Sequence, residues 1–337
     1  MKNTISTFPF IVLAMLVLLS ASGCGSAATT VPAVQPTADS TKQAAVMPAR
    51  GGPGGSSTFA SVAPTYKDLA YATLSNAQKL DIYLPTTGSG PFPLVIMVHG
   101  GGFMFGDKAD GGGLTGVDKL LAAGYAVASI NYRLSGEAQY PAQIFDAKAA
   151  VRFLRANAAK YNLNPNKFGA WGASAGGNLV SLLGTTCGVA ELEGKELGNA
   201  NQSSCVQAVV DWFGPIDFLK MQEQFAGTGC SANTNDASSP ESKLIGAPIQ
   251  TVPEKVALTN PMNYITPDDA PFFIENGTAD CNIPPVQNKN FANALKAVIG
   301  AEKVTYVSLE GAGHGGSQFE TAENLAMVIA FLDKHLK

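Results

Sequence analysis

The sequence predicts an α/β fold, with a mostly parallel central sheet flanked by helices. Three observations carry this expectation. Short apolar runs alternate with helical periodicities from about residue 79 to the C-terminus, the β-α-β-α rhythm of a parallel sheet with helices on both faces. The run "LVIMV" (94–98) is continuously apolar, as a strand covered on both sides is. No internal repeat interrupts the pattern, so one domain over about residues 58–337 is expected.

The elements follow in order. "KLDIYL" (79–84) alternates with period two, as in a half-exposed strand, whereas "LVIMV" (94–98) is apolar throughout. "YAVASINY" (125–132) is the next strand. Behind it Ile144, Ala147, Val151, Leu154 and Ala158 fall on one helical face, with Pro141 suited to the first turn. "KFGAWG" (167–172) is a strand, and "GGNLVSLLGTT" is the buried helix after it. "VQAVVDWFG" (206–214), "PFFIEN" (271–276) and "KVTYVSLEG" (303–311) complete the strands, with helical patterns at about 284–298 and 317–336. Between "DWFG" and "PFFIEN" lies an insertion, about 218–270, without a clear sheet strand.

Composition bounds the function. The 337 residues are 46% hydrophobic and 14% charged with a formal net charge of −4. That supports a large core and offers no basic surface for a phosphate backbone. No Lys/Arg run is present, and "GGGLTGVDK" (111–119) lacks the lysine that a phosphate-gripping loop needs after its last glycine. Nucleic acid and nucleotides are not expected partners.

The N-terminus reads as an export signal. Lys2, an apolar stretch from Phe8 to Leu19 and then small residues make residues 1–23 a signal peptide, too short in its apolar core for a membrane span. Ala21, Ser22 and Gly23 lead into Cys24 in a run that resembles the bacterial lipoprotein processing box, which implies lipidation of Cys24. Residues 24–57, rich in Ala, Thr, Pro, Ser and Gly, then form a flexible tether. The expected location is therefore outside the cytoplasm, held to a membrane through a lipid anchor or otherwise secreted. Of five cysteines, Cys187, Cys205, Cys230 and Cys281 remain for the domain, without metal-ligand spacing. An even count in an exported domain predicts two disulfides. Cys230–Cys281 would pin the insertion to the loop of Asp280, and Cys187–Cys205 would close the connection after the buried helix. The pairings 187–230 with 205–281, and 187–281 with 205–230, remain open at this point.

The chemistry centres on Gly172-Ala173-Ser174-Ala175-Gly176, at a strand end and a helix start. A nucleophile on so sharp a turn has strained backbone angles, and glycines two residues to either side remove the collisions a Cβ would make. Of three histidines, His335 lies near the C-terminus and His99 opens "HGGGF", which leaves His314 in "EGAGHGG", after the last strand, as the base. Asp280 in "ENGTADCNIPP" is the expected orienting acid, ahead of Asp217, Asp268 and Asp269, because it follows the strand beside the histidine-bearing one. The three glycines in "IMVHGGGF" let backbone N–H groups converge on a developing oxyanion, joined by that of Ala175.

Here "HGGGF", "GASAGG", "NYRL…YPAQ" (131–143) and "DWFGPIDF" (211–218) resemble the hormone-sensitive-lipase-like branch of the α/β-hydrolases. More closely they resemble exported bacterial esterases of the feruloyl/acetyl-xylan esterase-like group. The resemblance implies the α/β-hydrolase fold and Gly101, Gly102 and Ala175 as the oxyanion donors. Asn276 stands where relatives often have histidine, and the segment from Phe59 to Leu80 is short for the helical cap of lipase-type relatives. The expected function is a serine carboxylic-ester hydrolase needing no metal or cofactor, acting on an acylated polysaccharide, a polyester or a lipid. An amidase or formamidase on the same triad is the alternative within the chemistry, and a non-catalytic binding module the alternative outside it. If His314 is the base, kcat/KM falls on the acid side as the imidazole takes up a proton.

Overall fold

A computed structural model describes residues 62–111 and 114–337. The expected signal peptide, Cys24 and the tether lie outside the described residues. Eight strands form one sheet: β1 (Tyr66–Ala70), β2 (Lys79–Tyr83), β3 (Phe92–Val98), β4 (Ala126–Ile130), β5 (Leu163–Ala173), β6 (Ala208–Trp212), β7 (Phe272–Gly277) and β8 (Val304–Leu309). Their order is β1-β2-β4-β3-β5-β6-β7-β8. β1 pairs antiparallel with β2, and β2 with β4; every later pair is parallel. The mostly parallel sheet is the one the apolar runs predict.

Side-chain alternation along the central strand divides the core. Leu94, Ile96 and Val98 of β3 face one cluster, built with α2 (Ala142–Ala156), α3 (Ala175–Thr185) and α7 (Pro285–Ile299). Val95 and Met97 face the other, with α1 (Val117–Ala122) and α8 (Ala322–Leu336). These five β3 side chains have no solvent exposure. Both faces of the strand are covered, which is why its sequence is apolar without a break.

The insertion contains α4 (Phe218–Gln224), α5 (Pro240–Ile245) and α6 (Pro253–Ala257), with 3₁₀ turns at Ile249–Thr251 and Pro261–Tyr264 and no strand. Three elements differ from expectation. β1 is an edge strand, half-exposed and polar, with a register irregularity between Tyr66 and Leu69, so it carries no apolar alternation to read. α1 is only six residues long, too short for a periodicity. The last helix starts at Ala322 instead of 317, because the Thr321 hydroxyl accepts the Asn324 N–H and caps it there.

The parallel register aligns the strand ends. Val98 lies opposite Gly172, Ala173 opposite Trp212, and Gly277 opposite Leu309. The loops after β3, β5, β7 and β8 therefore leave the sheet along one edge, where ligands bind in open α/β sheets.

One buried carboxyl couples this sheet to pH. Glu275 in β7 is fully buried, and its Oε2 accepts 3.0 Å from Asn324 Nδ2. Burial pushes its pKa from 4.5 up to about 7. The folded state thus holds a proton that the unfolded chain has released, so this contribution falls as pH rises through the folded value. Glu275→Gln is expected to gain stability over the wild type on going from pH 5 to pH 8, read by urea unfolding at both. A pH-independent difference would contradict the assignment.

Candidate active site

Ser174 sits between β5 and α3 with φ 54° and ψ −121°, a left-handed conformation that a side chain adopts only under strain. Its N–H donates to the Trp212 carbonyl at 2.9 Å, and its own carbonyl accepts from the Asn178 N–H at 3.2 Å. The flanking glycines are required by space. A Cβ on Gly172 would stand 2.1 Å from the Gly176 carbonyl oxygen, and one on Gly176 2.0 Å from that of Val98. The chain closes on itself here so tightly that only hydrogens fit, and the serine side chain is turned outward.

His314 follows β8 in a glycine-rich loop. Its Nε2 is 2.9 Å from Ser174 Oγ, and its Nδ1 is 2.7 Å from Asp280 Oδ2. Asp280 is 2% exposed, and its Oδ1 accepts the N–H groups of Asn282 at 2.7 Å and Ile283 at 2.9 Å. The carboxylate can only accept, so the imidazole carries its proton on Nδ1 and turns the lone pair of Nε2 to the serine. The three residues thus meet in one hydrogen-bonded line although 34 and 140 positions separate His314 from the other two.

The rival acids stand elsewhere. Asp217 precedes α4 and borders a separate small hollow with Lys220 and Gln287. Asp269 is held by the N–H and hydroxyl of Thr266 at 2.9 and 2.8 Å. His99 is buried, its Nδ1–H donating to the Gly100 carbonyl at 2.8 Å and its ring stacked on Tyr132 at 4.4 Å. Burial pushes its pKa down, so it shapes the loop as a neutral ring.

That loop brings Gly101 and Gly102 to the cavity that Ser174, Ala175 and His314 also line, with a volume of about 930 Å³. Both glycines have positive φ, 107° and 59°. The Gly101 carbonyl accepts the N–H groups of Met104 at 3.0 Å and Phe105 at 3.2 Å, which closes the loop into a tight turn. Cys230–Cys281, with Cα atoms 5.3 Å apart, ties the insertion to the residue after Asp280, and Cys187–Cys205, at 5.0 Å, closes the connection after α3. The other two pairings are excluded by these bonds.

Sequence reasoning missed Phe213. It has φ 43° and packs its ring 4.6 Å from that of His314 and 4.8 Å from Phe319. Its place in "DWFG", directly after β6, gives no sign of this contact. The arrangement as a whole can deliver an alkoxide-like oxygen to a carbonyl and hold the resulting charge beside backbone N–H groups.

Comparison with known proteins places the fold. The BD-FAE family profile matches residues 80–295. A carbohydrate esterase from gut microbiota, solved in truncated form, is 37% identical with a TM-score of 0.72, covering 80% of this chain and 95% of that one. Esterase 2 of Thermogutta terrifontis, in a structure phosphonylated by sarin, is 25% identical with a TM-score of 0.62, covering 80% and 92%. Esterase LipC of Mycobacterium tuberculosis is 31% identical over 71% of this chain and 57% of its own length. The chain spans a little over half the length of LipC and of two further Mycobacterium tuberculosis proteins it matches, LipM and LipQ. The α/β-hydrolase fold and the kinship with the esterase group that the four motifs predict are borne out.

Proposed function

Because the chain belongs to the BD-FAE family, we propose that it is a serine carboxylic-ester hydrolase acting outside the cytoplasm. The observation that carries the proposal is the unbroken line from Asp280 through His314 to Ser174, opening on a cavity also lined by Gly101, Gly102 and Ala175. Ser174 Oγ attacks the ester carbonyl while His314 Nε2 takes its proton. Asp280 holds the imidazole by Nδ1 and stabilises its charged form. The N–H groups of Gly101, Gly102 and Ala175 hold the oxyanion. His314 then protonates the leaving alcohol, which departs, and deprotonates a water that releases the acid.

A relative supports one substrate class. The carbohydrate esterase named above favours an acylated polysaccharide over a polyester or lipid. Residues 1–23 as a leader and a lipidated Cys24 on a tether would hold the domain outside the cell within reach of a polymer; two disulfides suit that compartment.

Sarin carries the phosphorus–fluorine warhead of fluorophosphonate probes, and it phosphonylates the Thermogutta esterase. Such a probe is expected to label this protein once, at Ser174, as located by peptide mapping, and to abolish aryl-ester hydrolysis in the same proportion. Label on another residue, or hydrolysis that survives full labelling, would refute the assignment.

A further inference from the structure

Every carboxylate or cationic side chain that lines the cavity, His314 apart, is an acid: Asp110, Asp236, Glu241 and Glu320, with no Lys or Arg among the described lining residues. They come from three directions: the loop after β3, the insertion, and the turn before α8. Asp236, Glu241 and Glu320 have no ion-pair partner among the described residues. Glu241, at the start of α5, is only 5% exposed, and its Oε2 has no hydrogen-bond partner. α5 begins against the oxyanion loop, since a Cβ on Gly102 would lie 3.3 Å from Pro240 Cβ.

We propose that this acidic lining sets substrate charge: the cavity takes neutral or cationic esters and rejects those bearing a carboxylate, sulfate or phosphate near the scissile bond. The inference rests on the ester-hydrolase reading and adds the substrate class to it. An unpaired charge in a cleft with low-dielectric walls acts over a longer range than one on an open surface. An incoming anion meets the unpaired acids of the insertion and of the turn before α8, with no Lys or Arg among the described lining residues to receive it. Burial already holds the Glu241 carboxyl above the usual carboxylate range, and a second anion beside it raises that penalty.

The same lining acts on the product. Hydrolysis converts a neutral ester into a carboxylate inside the cavity, so the acid is released from a site that repels it. The free acid is therefore a poor inhibitor, poorer than the neutral amide of the same shape.

The test uses two alkyl fluorophosphonates that differ only in a tail ending in a carboxylate or its methyl ester. Their rates of Ser174 labelling are compared in about 20 mM and about 500 mM salt, where screening lengths differ several-fold. The neutral probe is expected to react about tenfold faster at low salt, with the gap narrowing to about threefold at high salt. The double variant Asp236→Asn, Glu320→Gln is expected to narrow it likewise at low salt. Equal rates in the wild type, or a gap indifferent to salt, overturn the proposal even if the variant does not fold. A salt-sensitive gap unchanged in a folded double variant overturns the assignment to those two side chains. Labelling by neither probe overturns the ester-hydrolase reading, and this inference with it; equal labelling by both overturns this inference alone.

Discussion

Asp280→Asn is expected to lower kcat by about 10⁴-fold while leaving the fold and KM nearly unchanged. The geometry says how. Oδ1 of Asp280 accepts two backbone N–H groups, from Asn282 and Ile283, and Oδ2 accepts from His314 Nδ1. An asparagine has one oxygen and one NH₂ for these places. The two N–H groups are fixed by the backbone and demand an acceptor, so the amide oxygen goes to them and the NH₂ faces the imidazole. His314 must then accept at Nδ1 and carry its proton on Nε2, pointing it at Ser174 Oγ. A base that already holds a proton there cannot take the serine's. The side chains are isosteric, so the fold survives, and Asp280 is too buried to touch substrate. Asp217→Asn, in its separate hollow, should change kcat by less than about threefold. Steady-state rates on one aryl ester, with unfolding curves for both variants, decide it. The reverse ranking would move the orienting acid to the end of β6.

What was legible in the sequence follows from how local its causes are. Gly172 could be read because the closure that needs it occurs within five residues, against the carbonyl of Gly176, whereas Gly176 is required by the Val98 carbonyl of β3, distant in sequence. The inner strands β3 and β4 could be read because burial on both faces leaves a nearly continuous apolar run. β1 could not, since it is a half-exposed edge held mainly by pairing to β2. Elimination among three histidines singled out His314. The contact of Phe213 with that ring could not be foreseen, because it depends on a positive φ directly after β6. The acidic lining is the least legible feature. Asp110, Asp236, Glu241 and Glu320 share no motif and no spacing; only the folding of three loops over one strand edge gathers them. The disulfides fell between these cases: an even cysteine count predicted two, and the path of the insertion over Asp280 chose the partners.

The largest effects are expected from removing the serine and the base. Ser174→Ala and His314→Ala should each lower kcat by about 10⁶-fold, and the double variant should be no worse than either. Ser174 Oγ and His314 Nε2 are 2.9 Å apart and share one proton. Without Nε2 the hydroxyl cannot be deprotonated as it attacks; without Oγ there is no proton for Nε2 to take. Each deletion removes the whole proton-coupled attack, so nothing remains for the second to remove. The residual rate, about 10³-fold above uncatalysed hydrolysis, would come from substrate binding and the N–H groups of Gly101, Gly102 and Ala175. Loss of folding does not explain the effect of Ser174→Ala, because alanine keeps the Cβ and the strained φ of 54° that the turn already tolerates. Single-turnover rates on an activated aryl ester, with unfolding midpoints for the three variants, make the comparison. If the two losses multiply in the double variant, Ser174 and His314 act independently and the shared-proton mechanism fails. A His314→Ala enzyme retaining more than about one hundredth of the wild-type rate would show that another group removes the serine proton.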